Sequence, residues 1–83
     1  MIVDYIEAAL KLAHYEIIGD EEPFYGEVVQ LKGVWATGKT LEQCRANLAS
    51  TIEGWVLVRI SRGMQIPPLG EVRVALPQEL EIA

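Results

Sequence analysis

Apolar and polar positions change their period several times along the chain, and each change marks an element. Over residues 2–13, Ile2, Ile6, Ala9, Leu10 and Ala13 recur at helical spacing while Asp4, Glu7 and Lys11 fall on the other side, which predicts a short amphipathic helix. Asp4 suits the positive end of that helix, and Glu7 precedes Lys11 by four residues in the favourable order. His14-Tyr15-Glu16-Ile17-Ile18 then shifts to β-branched and aromatic types and reads as a first strand. Gly19-Asp20-Glu21-Glu22-Pro23 interrupts it as a loop in which three carboxylates stay solvated. Phe24–Leu31 predicts a second strand, Lys32-Gly33 a tight hairpin turn with positive φ at the glycine, and Val34–Thr37 a third strand. Phe24, Gly26 and Val28 share one face of the second strand; Tyr25, Glu27, Val29 and Leu31 share the other. Both faces carry apolar groups, so the pattern does not choose which one meets the core. Tyr25 and Trp35 are placed to form a cross-strand aromatic pair.

The period returns to helical after Thr40 and holds to about Arg62. Leu41, Cys44, Leu48, Ile52, Trp55 and Arg59 line one face, broadened by Ala49, Val56 and Ile60. Thr40-Leu41-Glu42-Gln43 reads as a capping box, in which the threonine hydroxyl accepts from the third amide and Gln43 reaches back to the threonine amide. Gly63 supplies the stop. A helix of roughly 33 Å is longer than a four-stranded sheet needs. Its last turns are apolar nearly all round, so Trp55, Val56, Leu57 and Ile60 are expected at an oligomer interface. Gly54 costs about 1 kcal/mol relative to alanine inside a helix, which a close helix contact would justify. Paired prolines make 64–70 a stiff connector, and Glu71–Leu76 alternates as a final strand with Val72, Val74 and Leu76 inward. Pro77–Ala83 reads as an acidic tail. The predicted order is α-β-β-β-α-β, an α+β fold with three antiparallel strands, a fourth strand, and a long helix packed on one face. All of 1–83 reads as one domain, with its core over about 15–76 and the amino-terminal helix as an accessory.

Composition narrows the function. Half of the chain is apolar (51%), with a mean hydropathy of +0.20, which in 83 residues favours burial of some surface between copies as a homo-oligomer. A net charge of −5 repels nucleic acid and suits a basic protein partner. The single cysteine, Cys44, excludes an intramolecular disulfide and sits where packing outweighs reactivity. With His14 alone it builds no zinc site, and Asp20-Glu21-Glu22 lacks the spacing of a calcium loop, so neither metal nor cofactor is expected. Glu16, Glu42, Glu53 and Glu71 show no spacing for two-metal hydrolysis, and Ser50 and Ser61 have no base beside them. A non-catalytic protein is expected. The start, Met1-Ile2-Val3-Asp4, lacks the basic residues of a leader, and no apolar run approaches a membrane span, which predicts a cytoplasmic protein.

Several of these pieces occur in a specific order: Phe24-Tyr25-Gly26-Glu27, Leu31-Lys32-Gly33, Val34-Trp35-Ala36-Thr37-Gly38, Thr40-Leu41-Glu42-Gln43-Cys44 and Arg62-Gly63-Met64-Gln65-Ile66-Pro67-Pro68. Over roughly residues 15–76 this resembles the HicB family of antitoxin-like proteins in its short, UPF0150-like form. The resemblance implies a partly degraded ribonuclease-H-like fold with sheet order 3-2-1-4. It also implies a partner, a small basic RNA-cleaving toxin that the antitoxin neutralises by covering its active site. On chemistry rather than on the resemblance, Glu21, Glu22 and Glu27 are candidates to meet basic side chains, with Tyr25 and Trp35 as anchors. The resemblance implies a further carboxy-terminal DNA-binding module in longer members; none is expected within these residues, which lack a basic stripe, so direct nucleic-acid binding is not expected. A competing expectation, from the apolar far end of the helix, is an oligomeric scaffold or small-ligand-binding protein with no toxin partner.

Overall fold

The computed structural model describes residues 2–72. It contains α1 (Ile2–Leu12), β1 (His14–Ile17), β2 (Phe24–Glu27), β3 (Trp35–Gly38) and α2 (Leu41–Ser61). The three strands form one antiparallel sheet in the order β1-β2-β3, with Tyr15 opposite Gly26 and Gly26 opposite Ala36. The α+β class and the antiparallel trio match the expectation from sequence. The fourth strand expected over Glu71–Leu76 lies almost wholly outside the described residues. Within them, Val72 closes an antiparallel bridge with Leu69 across Gly70, which takes φ +62°.

The hairpin differs from the one predicted. Strand pairing stops at Glu27 and Trp35, and 28–34 folds into a compact loop rather than a strand and a two-residue turn. Backbone bonds from Val28 N to Val34 O (3.1 Å), Leu31 N to Val28 O (3.0 Å) and Val34 N to Leu31 O (3.1 Å) hold it. An extended strand would send Val28 and Leu31 to opposite faces. The folded loop buries both, together with Val34, and leaves Val29 outside. Gly33 does adopt the positive φ expected of it, +82°.

Small residues set the distance between sheet and helix. Gly26, Ala36 and Gly38 all point toward α2. A methyl group on Gly38 would stand 2.7 Å from the Cα of Cys44, and one on Gly26 would stand 2.8 Å from the Tyr15 ring and 3.3 Å from Cys44 Sγ. Cys44 is fully buried in this contact, its thiol 3.6 Å from the carbonyl of Ala36.

Thr40 caps α2 as predicted, its hydroxyl accepting from Gln43 N at 3.0 Å. The second half of the expected capping box does not form, because the Gln43 side chain donates to Asn47 Oδ1 at 3.0 Å instead. At the other end Gly63 (φ +65°) lets its own amide reach Ile60 O and that of Met64 reach Arg59 O, a Schellman closure.

Helix α1 lies along α2. Tyr5 and Ala9 share one buried cluster with Leu48, Ile52 and Val56, joined by Ile66 and Leu69 of the connector. Tyr5, which the helical stripe read from sequence omitted, is fully buried, and its hydroxyl donates to the carbonyl of Pro67. Val56, expected at an oligomer interface, is likewise fully buried in its own chain, because α1 and the connector cover the inner side of the overhanging helix.

Two glycines in this fold respond oppositely to alanine. Gly38→Ala forces a methyl into helix backbone and lowers unfolding free energy by about 1–3 kcal/mol in urea titrations. Gly54 has open space at its Cβ, so Gly54→Ala raises stability by about 1 kcal/mol. Tyr5→Phe leaves the Pro67 carbonyl without its donor and costs about 1 kcal/mol in the same assay.

Candidate partner-binding face

Because α2 occupies the Gly26–Ala36–Gly38 side, strand alternation sends the intervening side chains to the opposite face of the sheet. His14, Glu27 and Trp35 form one row across the three strands, and Glu16, Tyr25 and Thr37 form the next. No described element packs on this side. Tyr25 and Trp35 stack with ring centroids 6.0 Å apart and planes 23° from parallel, and Trp35 is 55% exposed.

Carboxylates surround the aromatic pair. The Tyr25 hydroxyl donates to Glu27 Oε2 at 3.2 Å, and the Thr37 hydroxyl donates to Glu22 Oε1 at 2.7 Å, which carries Glu22 from the β1–β2 loop to the edge of the face. Glu16 meets His14, Nε2 to Oε1 at 3.2 Å, and no lysine or arginine forms an ion pair among the described residues. Glu22 and Glu27 thus meet hydroxyls rather than cations. Desolvation raises the Tyr25 pKa, and the negative charge and hydrogen bond of Glu27, with the charge of Glu16, raise it further.

The structure therefore brings Glu22, Tyr25, Glu27 and Trp35 together and adds Glu16, His14 and Thr37, which the sequence reading left out of the site. Strand alternation is the signal that would have found them, once the buried face was known. Glu21 stands apart: it is exposed in the loop, and its amide is taken by Asp20 Oδ1 at 2.7 Å. No group of three or more metal-ligating side chains occurs among the described residues.

A second feature lies on the exposed side of α2. Trp55, Val58, Arg59 and Met64 line a shallow groove beside Gly54, with the Arg59 guanidinium 4.7 Å from the centre of the Trp55 ring. Arg59 Nε donates to the carbonyl of Gln65 at 2.7 Å. Of the four residues expected at an oligomer contact, Leu57 is 48% exposed, Trp55 and Ile60 are partly buried against their own core, and Val56 is enclosed. None of the described helices is long and apolar enough to cross a membrane.

Fold and face define a small α+β protein whose sheet carries a helix on one side and presents an acidic, aromatic surface on the other. The chain belongs to the UPF0150-like family, whose model matches residues 4–67. It is also similar to TTHA0281 from Thermus thermophilus, known from a crystal structure, at 55% identity and a TM-score of 0.87, over 92% of this chain and 94% of that one. No curated protein matches the chain.

Two titrations follow from this environment. The Tyr25 phenol should ionise above the ordinary tyrosine value of about 10, read as the absorbance change lost in Tyr25→Phe. A raised folded-state pKa favours the neutral phenol, so its stabilising contribution is full below the unfolded value and disappears as pH rises through the folded one. Glu27→Gln should move the transition back down. Burial, followed by the charge of Glu22, also pushes the Cys44 thiol up. Cys44 should therefore resist a disulfide-exchange reagent at about pH 8 in the native protein and react promptly in denaturing urea.

Proposed function

We propose that this protein is a non-catalytic binding module of antitoxin type, whose open sheet face covers a small basic RNA-cleaving protein and silences it. One observation carries the reading: a Tyr25–Trp35 stack with its indole exposed is bordered by Glu22 and Glu27, which no cation neutralises among the described residues. Aromatic anchors exclude water at the centre of an interface, and carboxylates at its margin speed encounter with a basic surface and reject an acidic one. The net charge of −5 acts in the same direction. Membership of the UPF0150-like family and the HicB-like motifs agree with it. In this reading the chain is a single cytoplasmic domain of the ribonuclease-H-like type that the HicB resemblance implies.

The test is capture of a partner from a native lysate at low salt. A small basic protein should co-purify, elute as salt rises, and lose its RNA cleavage on rebinding. Glu22→Lys with Glu27→Lys should weaken that complex at least tenfold, a loss of about 1.4 kcal/mol or more. Glu21→Lys, away from the face, should weaken it less. Undiminished binding by the double variant would remove the face from consideration.

A second reading rests on the outer side of α2, where Leu57, Val58 and Met64 remain 40–49% exposed beside the groove. There the chain assembles with copies of itself through Leu57, Trp55 and Ile60, as a scaffold with no toxin partner. Light scattering distinguishes it: Leu57→Asp reduces the particle to a monomer if this contact assembles the protein, and leaves its mass unchanged otherwise.

A further inference from the structure

The chain already shows how it holds a guanidinium. Trp55 has Arg59 lying 4.7 Å over its ring, and that arginine is fixed by the Gln65 carbonyl. The other tryptophan, Trp35, is more exposed and has carboxylates around it, yet none of the described cations stacks on it. Trp35 stands directly opposite Glu27 on the neighbouring strand. The backbone bond from Val28 N to Val34 O sets the alternation so that Glu27 and Trp35 form a non-hydrogen-bonded pair, in which side chains approach most closely, about 5 Å between Cβ atoms. Glu27 Oε2 accepts from the Tyr25 hydroxyl, which ties the carboxylate to the aromatic pair. Glu16 lies across β2 from the same point, opposite Tyr25.

We propose that this face recognises an arginine of its protein partner, the guanidinium lying flat on Trp35 while its N–H groups donate to Glu27. The inference rests on the basic-partner reading and specifies the group that is read. Arginine rather than lysine follows from shape and hydration. A guanidinium is planar, weakly hydrated along its faces, and presents parallel donors, so it stacks on an indole and meets a carboxylate in one pose. An ammonium is compact and strongly hydrated, and it gains from the field of the carboxylates but not from the flat aromatic surface. The stacked pair makes that surface wider than one ring and holds Trp35 in place before any partner arrives, which limits the entropy lost on binding.

Hexa-arginine and hexa-lysine peptides test this, being equal in charge and different in the group they present. Calorimetry with the native chain gives the two affinities, and Trp55→Phe makes Trp35 the sole fluorescent indole for the same titrations. The arginine peptide should bind at least tenfold more tightly and quench Trp35 emission. Trp35→Leu should abolish most of that preference. Glu27→Gln should weaken the arginine peptide severalfold more than the lysine peptide, while Glu53→Gln on the exposed side of α2 leaves both unchanged. Equal affinities, or equal losses in the variants, would overturn the arginine assignment and leave the basic-partner reading standing. Binding of neither peptide would overturn both. Retained melting curves for each variant separate these outcomes from misfolding.

Discussion

The close approach of α2 to the sheet is the constraint on which the rest of the structure depends. Gly26, Ala36 and Gly38 carry nothing thicker than a methyl toward the helix, and Cys44 and the Tyr15 ring fill the space they leave. The connection from β3 is only two residues long, and the second of them, Thr40, caps the helix. Helix start, helix height above the sheet and the buried face of the sheet are thereby fixed together. Asn47, about two turns past the cap, donates to the outward carbonyl of Thr37 at 2.8 Å and so satisfies part of the outer edge of β3. A side chain at Gly38 would press on the backbone of α2, and one at Gly26 on the Tyr15 ring and the Cys44 thiol, so the cap and the thiol contact would lose their geometry together.

That constraint also accounts for the division of the core. Helix α2 has 21 residues and each strand has four, so the sheet cannot cover it. The excess is covered by α1 and by the proline-bearing connector, which are tied to each other by the hydroxyl of Tyr5 and the carbonyl of Pro67. Burial raises the Tyr5 pKa, and the positive charge of Arg59 opposes the rise. The accessory helix is therefore part of the single core. Its removal would expose Ile52 and Val56 as well as its own apolar side.

Elements dictated by local chemistry were legible in the sequence: α2 with its threonine cap and glycine stop, the antiparallel trio, and the Tyr25–Trp35 pair. What was not legible depended on choices between competing local options. Val28-Val29-Gln30-Leu31 has the composition of a strand, and only the gain from burying Val28, Leu31 and Val34 together folds it into a loop. Gln43 had two partners in reach and took Asn47 over the backbone amide. Val56 looked available to a neighbour because apolar residues all round the last turns hide which side faces inward. Tyr5 sits four residues before Ala9 on the buried side of α1, a spacing that the more hydrophobic Ile2 and Ile6 obscured. Which face of the sheet was buried looked ambiguous from the apolar residues, but the answer lay in the smallest ones. Two glycines and an alanine at alternating, facing positions mark where a helix must come close.

Leaving the aromatic face open has a cost that its carboxylates limit. An exposed tyrosine–tryptophan stack on a sheet face invites a second copy to stack on it, since apolar contact alone does not distinguish partners. Two copies brought face to face would gather the carboxylates of Glu22 and Glu27 from both chains in one contact, where no described cation pairs with them. Water would be driven from these charges without compensation, and the penalty of an unpaired charge exceeds what an aromatic contact of this size returns. In solution the same carboxylates are solvated and cost little. A partner that brings its own positive charge removes the penalty and keeps the aromatic gain. The face is thus selective by charge before it is adhesive by shape, and the acidity of the surrounding chain extends that selection beyond the contact itself.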